Sequence, residues 1–153
     1  MATAPDAPGA TRVVLVVAAA LCRDGKVLLA QRPPGRELAG MFEYPGGKVE
    51  PGERPEASLC RELQEELGIT VAPADLAPIS FASHSYPKFH LLMPLYAVWR
   101  WTGEPIGLEG QALRWAAPEE LGQPELPMPE ADYPLTEPVR AALAAGPPPL
   151  RRQ

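Results

Sequence analysis

"GGKVEPGERPEASLCRELQEELGI", Gly46 to Ile69, gathers six glutamates in 24 residues, opens on two glycines and closes around another, Gly68. Its pattern predicts a helix from Pro55 to Leu67. Pro55 suits the first turn, where no amide hydrogen is missed, and Gly68 stands at the usual stop just past the last turn. On that helix Cys60, Leu63 and Leu67 share an apolar face. Glu62, Glu65 and Glu66, at i, i+3 and i+4, share another. Like charges at this spacing repel by up to about 0.5 kcal/mol per pair on an exposed helix, and by more where water is excluded. Arg61, four residues before Glu65, steadies one carboxylate, and no Lys or Arg follows before Gly68. A cation is the natural partner for the rest. The cluster offers oxygen only, since His84 and His90 are distant and no cysteine lies on the carboxylate face. Such donors suit Mg²⁺, Mn²⁺ or Ca²⁺ rather than zinc. The glycines ahead of the helix let backbone approach a ligand closely. A solvated acidic surface helix is the plain alternative, and charge content alone favours it.

Working outward, "VVLVVAAALC" (Val13–Cys22) has the apolar core of a signal peptide but is too short to span a bilayer. Its β-branched valines and the following Asp24-Gly25 turn predict a buried strand, with "KVLLAQRP" as its hairpin partner. Residues 33–41 read as a loop and "MFEYP" as a short strand. "APISFASHSY" and "FHLLMPLYAVWRW" read as two long strands joined at Pro87-Lys88. Gly103–Gly110 is a loop, "ALRWA" a last strand, "PEEL" a short helix opened by Pro118, and "PLTEPVRAALAA" a C-terminal helix. Strands and helices interleave with hairpins as well as crossovers, which predicts a mixed sheet with helices on its faces.

The chain of 153 residues fits one domain, 1–153, with 1–11 and 146–153 as flexible tails. A net charge of -5 gives no bulk attraction to a nucleic-acid polymer or an anionic membrane. A single nucleotide, arriving with its metal, is not excluded by it. Two cysteines without metal-ligand spacing fit a reducing cytoplasm. A monomer or a homodimer is expected.

From Gly47 the segment reads G-x5-E-x7-R-E-u-x-E-E-x-G-u, where u is aliphatic. Gly47, Glu53, Arg61, Glu62, Leu63, Glu65, Glu66, Gly68 and Ile69 fill every fixed position. On these residues the chain resembles the Nudix hydrolases. The longer run from Gln31 to Ile69, "WTGEPIGLEGQALRW" and "LPMPEADYPL" resemble the MutT-type nucleoside triphosphate pyrophosphohydrolases, so the likeness extends from about Val13 to Leu143. The resemblance implies an α/β/α sandwich around a mixed sheet and a Mg²⁺-dependent hydrolase, with Mn²⁺ as a possible substitute. It implies metal ligands at Glu62, Glu65, Glu66 and the Gly46 carbonyl. Glu53 would act through a bound water, Arg61 would orient a neighbouring glutamate, and Glu109 would join the metal site or serve as base. Arg32 would contact a phosphate and Lys48 would stabilise phosphate charge.

The subgroup converts a nucleoside triphosphate to the monophosphate and pyrophosphate by water attack on the β-phosphorus, and its best-known role is removal of oxidised dGTP. Asp132 falls where MutT-type enzymes carry an asparagine that reads guanine. An ionised carboxylate only accepts hydrogen bonds, whereas an amide donates and accepts. The resemblance therefore implies 8-oxo-dGTP as substrate, with CTP or oxidised dCTP as the alternative. Tyr86, Phe89 and Tyr96 border the long strands and either stack on a base or pack in the sheet, with Phe89 carried as a substrate contact. Trp99, Trp101 and Trp115 read as core or interface. His84 and His90 receive no role. Two other readings stand beside this one. One is a dinucleoside polyphosphate or ADP-ribose substrate. The other is a nucleotide-binding regulator without turnover, opposed by the complete set Glu53, Glu62, Glu65 and Glu66.

Overall fold

The computed structural model describes residues 11–149, so the expected tails lie mostly outside the described residues. The valine-rich run forms strand β1, Val13–Arg23, at the centre of the sheet. Ala18, Ala20 and Cys22 pack into one core, and Val17, Ala19 and Leu21 into another on the opposite face. Burial on both faces is why this strand is a continuous apolar run rather than an alternation. Asp24 and Gly25, at φ 53° and 75°, make the left-handed pair that a tight two-residue hairpin requires. Strand β2, Lys26–Gln31, returns antiparallel.

Then follow β3 (Phe42–Glu43), β4 (Gly46–Lys48), helix α1 (Pro55–Leu67), β5 (Leu76–Ser85), β6 (His90–Val98), β7 (Leu113–Ala116) and helix α2 (Thr136–Ala145). The sheet runs β3-β2-β1-β6-β5, with β4 added to β1 and β7 to β2. β1 and β6 are parallel and the other pairs antiparallel, so the sheet is mixed, as expected. Helix α1 docks on the Val17–Leu21 face through Leu59, Leu63 and Leu67. Each of these is fully buried, a gain of about 1.5–3 kcal/mol per side chain. Helix α2 covers the other face through Val139 and Leu143. The result is the α/β/α arrangement that the resemblance implies, with helices on both faces of a mixed sheet as the pattern of elements predicts. Among the described residues no helix is long and apolar enough to cross a membrane.

The glycines at 46 and 47 lie in a strand, paired through Ala18↔Gly46, Val17↔Gly47 and Val16↔Lys48. Three local expectations are corrected. The apolar stripe of α1 centres on Leu59, while Cys60 is a half-buried flank. The strand expected through Trp101 stops at Val98. Beyond it Trp101 stacks on Trp115 at 6.4 Å, and Arg23 lies 4.5 Å above the Trp115 ring, a cation–π contact. The C-terminal helix starts at Thr136 rather than Pro134, after a 3₁₀ segment at Glu130–Leu135. That segment carries Asp132, so the irregularity bears on the site.

Candidate active site

Strand β4 runs against α1 at the point where the carboxylates stand. A Cβ on Gly47 would lie 2.5 Å from the Glu62 carboxyl carbon, and one on Gly46 would lie 1.9 Å from the Val17 carbonyl oxygen. Both positions therefore demand glycine for close approach, not for an unusual φ. Pro55 opens α1 without any side-chain cap, and Gly68 closes it in the left-handed region at φ 70°.

Arg61 organises the acidic face more widely than its single i+4 partner suggested. Its Nε and Nη2 donate to Glu53 Oε2 and Oε1 at 2.9 and 3.0 Å, a two-pronged ion pair. Its Nη1 reaches Glu62 Oε1 at 3.3 Å and Glu65 Oε2 at 3.2 Å. Held mainly by the Arg61 hydrogen bonds, Glu53 titrates at about 2. Glu66 has the opposite environment. Burial, the Glu62 charge with its hydrogen bond, and the charges of Glu109 and Glu43 push its carboxyl well above the usual range.

Glu66 and Glu109 look into a cleft of about 640 Å³ that Gly46, Gly47, Lys48, Arg32 and Glu43 also line. Arg32 donates from Nε to Glu43 Oε2 at 3.0 Å and from Nη1 to the Glu37 carbonyl at 3.3 Å. The same cleft continues to Tyr86, Phe89 and Asp132. Tyr86 and Phe89 stack at 4.9 Å, and the His84 ring meets Tyr86 edge-on at 4.8 Å. Asp132 is 4% exposed, and no hydrogen bond to its carboxyl is found among the described residues. Burial first, then the Glu43 charge, raise it to about 7, against the pull of Arg32. The Tyr44 hydroxyl nearby is buried without a partner among the described residues. Burial and then the Asp132 charge raise its pKa.

A family profile described as the NUDIX domain matches residues 16–143. This chain is a Nudix hydrolase. It is 42% identical over 139 residues to the CTP pyrophosphohydrolase of Escherichia coli K12, covering 89% of this chain and 98% of that protein. It is 36% identical over 120 residues to the 8-oxo-dGTP diphosphatase of the same organism, covering 78% and 87%. Among solved structures, a MutT NUDIX hydrolase from Burkholderia pseudomallei superposes with a TM-score of 0.73 at 32% identity, covering 84% of this chain and 98% of that one.

Nudix hydrolases require a divalent metal, and the residues of this one fit such an ion. The donors at the crowded end of the cleft are all oxygen, which matches a hard cation. Glu66 carries a charge conflict with Glu62 and Glu109 that a cation relieves. The space above Gly47 is taken up by the Glu62 carboxylate. Among the described residues no three His, Cys, Asp or Glu groups are gathered, as they lie, so as to hold a metal ion. Glu62 and Glu65 turn toward Arg61 instead.

Of the residues expected from sequence in this Nudix domain, Gly46, Lys48, Glu66, Glu109, Arg32, Phe89 and Asp132 line one cleft. Glu53, Arg61, Glu62 and Glu65 form the network behind it. The three bordering aromatics divide. Tyr86 and Phe89 face the cleft, whereas Tyr96 packs in the α1 core and donates its hydroxyl hydrogen to Glu56 at 3.2 Å. His90 lies between the Ser83 and Ser85 hydroxyls at 2.7 and 2.8 Å, and is not part of the cleft wall.

Sequence reasoning missed Glu43, Tyr44 and Gln111. For Glu43 a signal existed: alternation along "MFEYP" puts it on the face opposite Phe42 and Tyr44. For Tyr44 no signal separates it from an ordinary core aromatic.

Arg61→Met tests the network. Because the folded pKa of Glu53 lies below its ordinary value of 4.5, the pair contributes stability above pH 4.5 that is lost as pH falls toward about 2. The variant should melt below the wild type at pH 7, and the gap should close toward pH 2. A gap that persists unchanged at pH 2 would show that Arg61 acts through packing and not through the carboxylate.

Proposed function

We propose that this Nudix hydrolase converts a nucleoside triphosphate to the monophosphate and pyrophosphate as a single-domain enzyme. The observation that carries the reading is the continuity of one cleft, with acidic groups at one end and an aromatic pair with a buried carboxyl at the other. A Mg²⁺ ion, or Mn²⁺, would be held by Glu62, Glu65, Glu66 and the Gly46 carbonyl, where it would neutralise phosphate charge and lower the pKa of water. Arg32 and Lys48 bind phosphate oxygens and take up charge that develops as the bond to the leaving phosphate breaks. Arg61 holds Glu53, Glu62 and Glu65 in place. Glu53, kept ionised to very low pH by Arg61, is a weak proton acceptor. Glu109, on the cleft wall with Glu66, would join the ligands of the ion through one carboxylate oxygen, and its other oxygen is suited to take the proton of the attacking water.

The base lies against Tyr86 and Phe89, within reach of Asp132. An 8-oxo-dGTP substrate is the first reading, supported by the MutT-type motifs. It would clear oxidised nucleotide from the cytoplasmic pool, and two free thiols agree with that compartment. A second reading, CTP or oxidised dCTP, is favoured by Asp132 itself. Its carboxylate accepts from the cytosine amino group, and an unmade bond to a buried polar group costs about 1–3 kcal/mol.

A kcat/KM panel on 8-oxo-dGTP, dGTP, CTP and oxidised dCTP with Mg²⁺ tests both readings. Monophosphate and pyrophosphate are the expected products. Asp132→Asn should lower the ratio of CTP to 8-oxo-dGTP activity by about tenfold. An equal loss on both bases would remove Asp132 from base reading, and orthophosphate release would overturn the assigned bond.

The same variant has a stability signature. Asp132 is raised from 3.8 to about 7, so the folded protein binds the extra proton within that window and loses stability as pH rises through it. Asp132→Asn lacks this loss. It should melt about 3 °C or more above the wild type at pH 8, and the advantage should disappear below pH 4.

A further inference from the structure

We propose that Gln111 is a positioning residue that clamps the Glu109 loop to the last turn of α1 and so fixes the Glu109 carboxylate beside Glu66. The side-chain amide bridges two backbone groups. Its Oε1 accepts from the Glu109 amide N–H at 2.8 Å, and its Nε2 donates to the Glu66 carbonyl at 3.1 Å. Those two residues carry two of the carboxylates that line the cleft. The carbonyl it reaches is one of the four at the end of a helix that lack an intrahelical partner.

The loop is sewn to the helix elsewhere as well. Leu108 N–H donates to the Glu66 carbonyl and Ile106 N–H to the Leu67 carbonyl, both at 3.0 Å. These backbone bonds fix where the loop lies. They leave the Glu109 amide unbound, so the orientation of the residue that matters depends on Gln111. Only an amide meets both demands, because it accepts on one arm and donates on the other. Glutamate lacks the donor, and methionine keeps the volume but supplies neither. Gly107 completes the arrangement. A Cβ there would lie 2.1 Å from the Gln111 carbonyl oxygen and 3.3 Å from its Oε1.

The inference rests on the reading of Glu66 and Glu109 as parts of one hydrolase site. Gln111→Met removes both bonds at nearly constant volume. Mn²⁺ binding to the nucleotide-free protein, followed by the spin resonance of free Mn²⁺, should weaken about tenfold, within the range for outer-shell partners of a metal site. kcat should fall by a similar factor with KM little changed. The Gln111→Met/Glu109→Gln double variant should be no worse than Glu109→Gln alone, since the clamp has nothing left to position. Gln111→Glu, which keeps the acceptor and loses the donor, should reproduce part of the loss if Gln111→Met folds poorly.

Wild-type Mn²⁺ binding in Gln111→Met, or effects that simply add in the double variant, would overturn the proposal. So would Mn²⁺ binding that ignores Glu109→Gln but is weakened by Glu66→Gln, and in that case the metal-site reading survives. If neither Glu66→Gln nor Glu62→Gln weakens Mn²⁺ binding, the site reading itself is lost, and the clamp with it.

Discussion

Glu66→Gln should reduce kcat by about 10³ while making the metal-free protein more stable at pH 8. The two effects have one cause. Glu66 is a largely buried carboxyl whose ionisation is opposed by burial and by Glu62, Glu109 and Glu43. Its folded pKa therefore lies above the ordinary 4.5, the folded state binds more protons than the unfolded state above that pH, and stability falls as pH rises through the window. The neutral amide removes that penalty. It also removes a charged oxygen donor from the site, and a loss of several kcal/mol of transition-state stabilisation corresponds to about three powers of ten in rate. Activity lost together with stability would instead mean a damaged fold. Activity retained would exclude Glu66 from the site. A gain in stability with a loss of function is the exchange expected where a strained group is kept for chemistry.

Gly47→Ala should lower kcat by about 10² with little change in melting temperature. Its added methyl meets only the end of a side chain, the Glu62 carboxyl at 2.5–2.8 Å. Glu62 can yield by rotating, so the fold survives and the carboxylate leaves its station. A shift of about an ångström in a catalytic group costs on the order of 100-fold. Gly46→Ala supplies the contrast. Its methyl meets the Val17 carbonyl oxygen at 1.9 Å and the Ala18 Cα at 2.8 Å, backbone atoms at the centre of the sheet that have nowhere to go. That variant should be poorly folded. If Gly47→Ala were fully active, the close packing of β4 under Glu62 would have no catalytic purpose.

The difference between these neighbouring glycines was not legible in the sequence, where both read simply as small residues ahead of the helix. It depends on β4 pairing with β1 rather than ending before it, a long-range register with no local signal in three residues. The acidic helix was legible because Pro55, Gly68 and the 3.6-residue repeat are local signals. Its carboxylate face followed from spacing alone.

What spacing could not assign was how the face divides. Glu53, eight residues before Arg61, takes two of the guanidinium hydrogen bonds through a loop closure. Glu66, next to Glu65 in sequence, is turned into the cleft away from Arg61. The same limit holds at the other end. Asp132 was singled out by resemblance, but its isolation from donors arises from the 3₁₀ segment laid over the sheet, for which the sequence predicted no element. Gln111 looked like any polar loop residue, because both of its partners are backbone groups.

The central claim is that water attacks the β-phosphorus of a nucleoside triphosphate at the acidic end of the cleft, where Glu62, Glu65 and Glu66 would hold the divalent cation that supplies charge neutralisation. The most direct measurement is hydrolysis of 8-oxo-dGTP and of CTP in ¹⁸O-water, with Mg²⁺ and again with excess chelator, followed by mass analysis of both products. The account predicts unlabelled monophosphate and singly labelled pyrophosphate, formed only with the metal present. Labelled orthophosphate, or turnover that persists under chelation, would contradict it.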